Sequence, residues 1–226
     1  MTGPAETRSN AVFDQLRADL LAGRLGPGSK LKLAVLGARY VASLSVIREA
    51  LSRLAEQGLV VAHPQRGFSV VTLSPKDLND LTNTRIDVET LAARRSVEHG
   101  DLAWETAVVA AHHALARTPI QAADGDVNEN WISAHREFHR ALVAGCGSPR
   151  LLGIANALRD AAELYRVWSR SLAHDDDRDI GGEHRALMDL ALARDAEGLA
   201  NALAAHIRHT TEVLLRYSAA ADNDKA

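Results

Sequence analysis

The chain has 226 residues, of which 46% are hydrophobic, and a formal net charge of −3 at pH 7. This length suits one large or two small domains, and the hydrophobic fraction is enough to build a core. The sequence has no apolar run of bilayer length, and its polar first ten residues lack the apolar segment of a secretory signal. Its one cysteine, Cys146, excludes an internal disulfide and a cysteine-only metal site. These features predict a soluble cytoplasmic protein.

Charge is distributed unevenly along the chain. Residues 1–70 carry 9 Lys and Arg against 5 Asp and Glu, a net of +4, whereas residues 71–226 carry 17 against 24, a net of −7. A basic segment is typical of contact with nucleic acid, although a single-domain enzyme can show the same imbalance by chance. The imbalance therefore favours a nucleic-acid-binding N-terminal part without deciding it.

Two helices are predicted in the first forty residues. Val12, Leu16 and Leu20 recur at helical spacing and mark an amphipathic helix, which ends at the glycine- and proline-containing sequence GRLGPG. A short second helix is predicted at roughly 34–40. These two helices lead to a third with a stronger signal.

The third helix is predicted from the sequence SLSVIREALSRLAEQG. Ser43 or Ser45 can cap its start by accepting a hydrogen bond from a backbone N–H, and Gly58 can end it in a left-handed conformation. Arg48 and Arg53 lie off the apolar stripe, so about four turns of helix would present cations away from the core. The stripe consists of Val46, Ile47, Ala50, Leu51, Leu54 and Ala55.

A β-hairpin is predicted directly after this helix. The apolar residues 59–61 are followed by the turn sequence HPQRG and then by Phe68, Val70 and Val71. Three helices and a hairpin make a winged helix-turn-helix, in which a helix enters the DNA major groove and phosphates meet arginine, lysine and helix N-termini. The predicted DNA contacts are Lys32, Arg39, Ser43, Ser45, Arg48, Arg53, Arg66 and Gly67.

The rest of the chain is predicted to be an all-helical bundle, so that the fold class is mainly α. The sequence SPKD at 74–77 supplies a cap, a proline at the first helical position and an acidic residue near the positive helix end. Helices are predicted at roughly 76–98, 101–117, 127–145, 149–173, 180–193 and 196–217. The predicted organisation is a flexible N-terminus 1–9, a winged domain 10–73, a helical domain 74–218 and a disordered tail 219–226.

Four histidines are predicted to face the interior of this bundle. His135 and His139 are four residues apart in HREFH and so share one helical face, while His184 and His206 lie on the apolar faces of two later helices. One buried histidine is usually satisfied by a neighbouring carbonyl or hydroxyl, whereas four can share a divalent cation. Spacing alone leaves both explanations open. The histidines predicted not to bind metal are His63, His99, His112, His113, His174 and His209.

The HREFH motif does not match the motifs of catalytic zinc sites. Its Glu137 stands at the third position instead of the second position of the zincin motif, and the Cys-x-x-Cys of zinc deaminases does not follow. The sequence also has no glycine-rich phosphate loop after a strand and no Gly-x-Ser-x-Gly elbow. An all-nitrogen site leaves coordination positions open for a carboxylate, which favours sensing over turnover.

Segments in both halves of the sequence resemble one known family. VFDQLRADLLAGRLGPGSKL, SVIREALSRLAEQGLV and QRGFSV resemble the DNA-binding domain of GntR-family bacterial transcription regulators. TRIDVETLAARRSVEHG and HREFHRALVAGCGSPRLLGIANAL resemble the FCD effector domain of the FadR-type subgroup. In that family the bundle holds a divalent metal through one carboxylate and three histidines, and a small organic acid binds beside it. The resemblance therefore implies that the metal ligands are His135, His139, His184 and His206.

The sequence departs from the family pattern at two positions. His135 stands where the family usually has aspartate, which gives four imidazoles and shifts the expected metal toward zinc or nickel and away from manganese or magnesium. Leu44 stands where the recognition helix usually has an arginine, so the operator sequence cannot be inherited from relatives. Arg48 is retained.

The resemblance also suggests effector-binding residues. Arg85 matches the arginine of the family's first effector-domain helix and could clamp a carboxylate beside the metal, or it could be a solvated helical charge. Tyr165 and Trp168 could line the same pocket, or they could be core residues.

The sequence and the resemblance together predict a ligand-responsive transcriptional regulator and not an enzyme. A homodimer would read two half-sites of double-stranded operator DNA, and a small carboxylate bound at a zinc or nickel ion would change their separation or mobility. Repression relieved by ligand is expected from the family. Two alternatives stay open: a metal-dependent enzyme fused to a DNA-binding domain, and a regulator whose metal is purely structural.

Overall fold

A computed structural model describes residues 8–21, 24–72, 74–122, 127–171 and 178–223 of the chain. The chain divides into two compact units, Met1–Ser74 and Pro75–Ala226. Among the described residues no helix is both long and apolar enough to cross a membrane.

The first unit contains three helices and a small sheet. The apolar face of its third helix supplies the centre of the core, where Ile47, Leu51 and Leu54 are fully buried against the first helix. Each such side chain contributes on the order of 1.5–3 kcal/mol on burial. The elements are α1 (Arg8–Leu21), β1 (Lys30–Leu31), α2 (Leu33–Arg39), α3 (Leu44–Glu56), β2 (Val60–His63) and β3 (Gly67–Val70).

The predicted hairpin is part of a three-stranded antiparallel sheet. Its strand order is β1-β3-β2, with Val60 opposite Val70 in one pair and Leu31 opposite Phe68 in the other. The strand β1 was not predicted, because two residues are too few to show a period. Alternate residues of β3, Phe68 and Val70, are buried, so one face of the sheet covers the core.

A glycine allows α2 to approach the loop before α3. A Cβ added at Gly37 would lie 3.0 Å from the backbone oxygen of Ala42, which is tighter than ordinary contact. The absence of a side chain at this position therefore lets the two helices of the helix-turn-helix pack closely.

The second unit is a helical bundle. Its longest helices pack along each other, and the largest fully buried side chains of the unit include Trp168 and Phe138. Its helices are α4 (Pro75–His99), α5 (Leu102–Arg117), α6 (Glu129–Ala144), α7 (Pro149–Ala161), α8 (Glu163–Ser171), α9 (Ile180–Leu192) and α10 (Ala196–Asn223).

Two helices of this unit differ from the prediction. The helix expected at 149–173 is divided by a turn at Ala162. Seven of the eight residues from Ala162 to Ser169 are buried. The pattern of α7 is amphipathic, whereas α8 is enclosed by the bundle, and this change of environment accompanies the break. The last helix continues to Asn223, beyond the expected end at 217.

Candidate metal centre and nucleic-acid interface

The bundle brings the four predicted histidines together. His135 and His139 come from α6, His184 from α9 and His206 from α10, and all four are buried. One ring nitrogen of each lies within 4.8 Å of those of the others. Ring centroids are 4.4 Å apart for His135 and His139, which agrees with one helical turn between them.

Three ring nitrogens of this cluster have no hydrogen-bond partner in the described part of the protein. Among the described residues the buried Nε2 atoms of His135, His139 and His184 have no hydrogen-bond partner. Leaving such a group unsatisfied costs about 1–3 kcal/mol. The same atoms would be satisfied by donating lone pairs to one cation, and an all-imidazole donor set suits zinc or nickel. The residues therefore fit a divalent metal.

Burial keeps the cluster electrically neutral. It lowers the pKa of all four imidazoles below their ordinary value, and the charges of the neighbouring rings and arginines lower the pKa of His135 and His139 further. Neutral rings carry the lone pairs that a metal ion needs. The histidines are therefore held in the protonation state of ligands.

A carboxylate orients one of these rings. Nδ1 of His206 lies 2.7 Å from Oε2 of Glu183, and Arg178 holds both oxygens of the same carboxylate at 2.6 and 2.8 Å. Burial would raise the pKa of Glu183, but its bonds with His206 and Arg178 hold it well below its usual range. An ionised carboxylate only accepts hydrogen bonds, so the hydrogen of His206 is on Nδ1 and the Nε2 lone pair is free. Arg178 Nη2 also lies 3.2 Å from this Nδ1, but the shorter contact is with the carboxylate.

A cavity adjoins the histidine cluster. Its volume is about 20 Å³, enough for one water molecule. Arg85 lies in its lining, and Nε of Arg85 donates to Glu89 at 2.8 Å. The lining residues are Arg85, His135, His139, Arg159, Ala162, Glu163, Arg166, His206, Ile207 and Thr210.

Tyr165 and Trp168 do not line this cavity, in contrast to the effector-binding role suggested for them. The Tyr165 hydroxyl donates to Oδ2 of Asp77 at 3.1 Å, which ties α8 to the start of α4, and burial raises its pKa. Trp168 is fully buried and packs edge-on against Tyr165. Both side chains belong to the core of the bundle, since both are buried.

Apart from Arg85, the charged residues around the cavity were not found from the sequence. Glu89 is fully buried and also accepts from Arg159 at 3.0 Å, while Arg166 contacts His135. The spacing of Arg85 and Glu89 is a weak signal of an ion pair, and Glu183 stands next to a predicted ligand. Arg159 and Arg166 carry no local signal, since their partners are distant in the sequence.

The other histidines are separate from the cluster. His112 is buried and packs edge-on against Phe138, whereas His63 and His99 are exposed. His113 is exposed and His209 is partly exposed. His174 lies outside the described residues.

The N-terminal unit displays most of the predicted DNA contacts on its surface. Ser43 caps α3 by accepting from the Val46 N–H at 3.4 Å, and its hydroxyl lies 2.9 Å from that of Ser45. Arg48 is exposed one turn into the helix. Lys32 is exposed at the start of α2, Arg66 lies in the turn of the hairpin, and Gly67, with a φ of +90°, begins β3.

Two of the predicted DNA-contacting cations are engaged within this unit. Nη1 of Arg53 donates to Asn10 at 2.9 Å, and its guanidinium lies 4.1 Å from the ring centroid of Phe13. Arg39 forms an ion pair with the buried Asp19. Both arginines therefore tie helices of the first unit together, which long charged side chains can do while part of them stays exposed.

The residue pattern described as "Bacterial regulatory proteins, gntR family" matches residues 8–70, and that of the FCD domain matches residues 80–209. The chain belongs to the GntR family, in the subgroup with an FCD domain. It is 38% identical over 209 residues to the HTH-type transcriptional regulator BphR of Paraburkholderia xenovorans, which covers 92% of this chain and 85% of BphR. It is 32% identical over 195 residues to the HTH-type transcriptional repressor GlaR of Escherichia coli, covering 85% and 89%.

Solved structures agree on the fold. Escherichia coli McbR/YncC has a TM-score of 0.66 at 20% identity, covering 93% of this chain and 98% of that one. A GntR protein from a Rhodococcus species also has a TM-score of 0.66, at 22% identity, covering 92% and 98%. The GntR family and the relatives BphR and GlaR are transcriptional regulators, not enzymes. The chain is thus a ligand-responsive DNA-binding transcriptional regulator, and the enzyme alternative is set aside.

Proposed function

We propose that this GntR regulator is a repressor whose C-terminal bundle holds a zinc or nickel ion through His135, His139, His184 and His206 and senses a small organic acid beside it. The observation that carries this proposal is the set of buried Nε2 atoms that have no partner among the described residues. When bound, the metal would supply a Lewis acid to which a carboxylate oxygen can add. The protein supplies neutral rings, a carboxylate that orients His206, and nearby arginines.

The cavity supports an anionic effector. Arginine predominates among the charged residues of its lining, which are Arg85, Arg159, Arg166 and Glu163. Arginine binds carboxylates in a bidentate manner, which gives geometric selectivity as well as charge. Arg85 is therefore kept as an effector-binding residue.

For DNA binding we propose that α3 enters the major groove with Ser43, Ser45 and Arg48, while Lys32 and the hairpin residues Arg66 and Gly67 meet the backbone. Arg39 and Arg53 would position these elements and contact phosphate only with the part of each side chain that stays exposed. The relative GlaR is named a repressor, which supports repression here. As in other regulators of this kind, two copies would read two half-sites related by symmetry.

The proposal is tested in two steps with the full-length protein in the zinc-loaded state. A panel of organic acids is screened by thermal shift, since a ligand that prefers the folded state raises the melting temperature. Acids that raise it are then added to protein bound to genomic DNA fragments selected by the protein itself. Release of the DNA by such an acid is the expected result. Full retention of the DNA with every stabilising acid would contradict the proposed sensing, and light scattering of the free protein tests the homodimer.

The second candidate is a purely structural metal. It is favoured by the small volume of the cavity beside the histidines, about 20 Å³, which is on the scale of one water molecule. On this alternative zinc raises the melting temperature, but no acid raises it further. The same thermal-shift screen therefore separates the two functions.

A further inference from the structure

Arg166 has hydrogen-bond donors that the protein does not fill. Its Nη1 contacts Nδ1 of His135, but within the described part of the chain its buried Nε and Nη2 have no hydrogen-bond partner. A guanidinium remains a cation at neutral pH. An unsatisfied buried N–H is costly, and more so on a charged group. The unused N–H groups of Arg166 can therefore bind an acceptor from outside the chain.

The other two arginines of the cavity lining each donate to a carboxylate. Glu89 accepts from Nε of Arg85 at 2.8 Å and from Nη2 of Arg159 at 3.0 Å. Glu163, the second carboxylate of the region, is in contact with Arg136. An incoming anion therefore meets its least satisfied donor at Arg166.

The contact with Arg166 also sets the hydrogen on His135. A guanidinium has no acceptor, so it must donate to Nδ1, and the neutral ring then carries its hydrogen on Nε2. In this state neither nitrogen of His135 has a lone pair to give. His206 has the opposite arrangement, because Glu183 places its hydrogen on Nδ1 and leaves Nε2 free.

We propose that Arg166 is an anion-binding residue of this cavity beside Arg85, and that its contact with His135 makes carboxylate binding and metal binding cooperative. A carboxylate that accepts the N–H groups of Arg166 draws the guanidinium off His135, so the ring hydrogen can move to Nδ1 and the Nε2 lone pair becomes free for the metal. It also cancels a positive charge that would repel a divalent cation. The inference rests on the proposed metal and effector site, and it adds the residue that couples the two ligands.

Thermodynamic linkage makes the coupling measurable. If a carboxylate raises the affinity for the metal by some factor, the metal raises the affinity for the carboxylate by the same factor. The test titrates zinc into full-length protein stripped with a chelator, with and without succinate as probe, at ionic strength matched with sodium chloride. Free zinc is read with an indicator, so that zinc bound by succinate in solution is accounted for. Succinate is expected to strengthen zinc binding to the wild type by about tenfold, within the roughly 5–150-fold range of such couplings.

The variant Arg166→Met removes the coupling residue while keeping a long apolar stem. It is expected to bind zinc without succinate at least as tightly as the wild type, and succinate should leave that affinity unchanged. The matched control is Arg140→Met on the same helix as His135, since Arg140 is half exposed and pairs only with Glu137 among the contacts described. Succinate should raise the zinc affinity of this control by the same factor as that of the wild type.

Two results would overturn the inference. One is that succinate leaves the zinc affinity of the wild type unchanged. The other is that succinate raises the zinc affinity of Arg166→Met by the same factor as that of the wild type. Neither result touches the metal site, which stands or falls on whether zinc binds at all. Should Arg166→Met fail to fold, nitrogen NMR of ¹⁵N-histidine-labelled wild type gives the same decision. The metal-free protein should show His135 with its hydrogen on Nε2, assigned by comparison with His135→Gln. A hydrogen on Nδ1 would be incompatible with Arg166 donating there.

Discussion

The two units of this regulator present their functional side chains in opposite ways. In the first unit Arg48 and Arg66 are exposed on single local elements, a helix and a hairpin turn. In the second unit the histidines are buried and come from three helices, and the surrounding charges come from α4, α7 and α8 as well. A surface for a large partner needs only a local element held rigidly, whereas a site for one ion needs several elements to converge. Substitutions should therefore act locally in the first unit and cooperatively in the second.

The largest expected effect comes from removing two metal ligands. His139→Ala combined with His206→Ala should lower zinc affinity by more than the 10–100-fold that loss of an outer partner costs. Because these residues lie in the second unit, binding of DNA fragments by the metal-free protein should persist. Elemental analysis and fluorescence anisotropy measure the two properties.

A matched control is His113→Ala, an exposed histidine outside the cluster, which should keep its metal. A double variant that retains about one zinc per chain would show that the metal is held elsewhere. A metal-free double variant that still responds to the effector as the wild type does would show that sensing does not depend on these histidines.

Glu89→Gln should give the next largest effect, on stability. Burial alone would raise the pKa of Glu89, but Arg85 and Arg159 outweigh it and lower the pKa. Removing the charge leaves two buried cations without their carboxylate, which costs about 3–5 kcal/mol at neutral pH. Chemical denaturation measures the loss.

The pH dependence of this difference has a definite sign. Because the folded pKa of Glu89 is depressed, its contribution is present above the unfolded pKa of about 4.3 and is lost as pH falls through the folded value. The difference in the free energy of unfolding between the wild type and Glu89→Gln should therefore become smaller at acidic pH. The control Glu197→Gln, an exposed carboxylate paired with Arg94, should melt like the wild type because water screens that pair. A gap that does not change with pH would contradict the assignment.

These buried pairs also show where sequence reasoning reached its limit. The GntR resemblance, the helix-turn-helix and the set of four inward histidines followed from periodicity and motif, because helical spacing fixes which residues share a face. The partners of Glu89, Arg166 and His206 could not be predicted. Arg159 and Glu89 are separated by 70 residues, and their contact depends on how α4 and α7 pack.

Smaller differences between the sequence-based predictions and the structure have similar causes. The strand β1 has two residues and no period to read, and the break at Ala162 is set by the enclosure of α8 in the bundle. Arg53 lies off the apolar stripe of α3, as the sequence indicated, yet it packs on Phe13 of α1. An exposed position on one helix does not reveal which neighbour lies over it.

Glu183→Gln should weaken zinc binding by about 10–100-fold, the usual cost of losing the group that orients a ligating histidine. An amide can present either an acceptor or a donor, so the hydrogen of His206 is no longer fixed on Nδ1. Zinc titration measures the loss, and Glu183→Asp tests whether a shorter carboxylate restores part of it. Equal affinity in all three proteins would show that Glu183 only pairs with Arg178.

The smallest expected effect is that of Arg48→Ala on DNA binding. A good base contact from an arginine contributes about 1–3 kcal/mol, so affinity for selected fragments should fall by about tenfold. Metal content should be unchanged, since Arg48 is on the first unit. The control Arg95→Ala removes an exposed arginine of α4 and should bind DNA normally. Wild-type anisotropy curves for Arg48→Ala would remove it from the recognition surface.

The most direct test of the buried site is elemental analysis by mass spectrometry of protein purified without a histidine tag or chelator, followed by zinc titration of any metal-free fraction. The four-histidine site predicts about one zinc or nickel per chain, or stoichiometric uptake on titration. Protein that is isolated without metal and takes up none would show that these histidines are core residues.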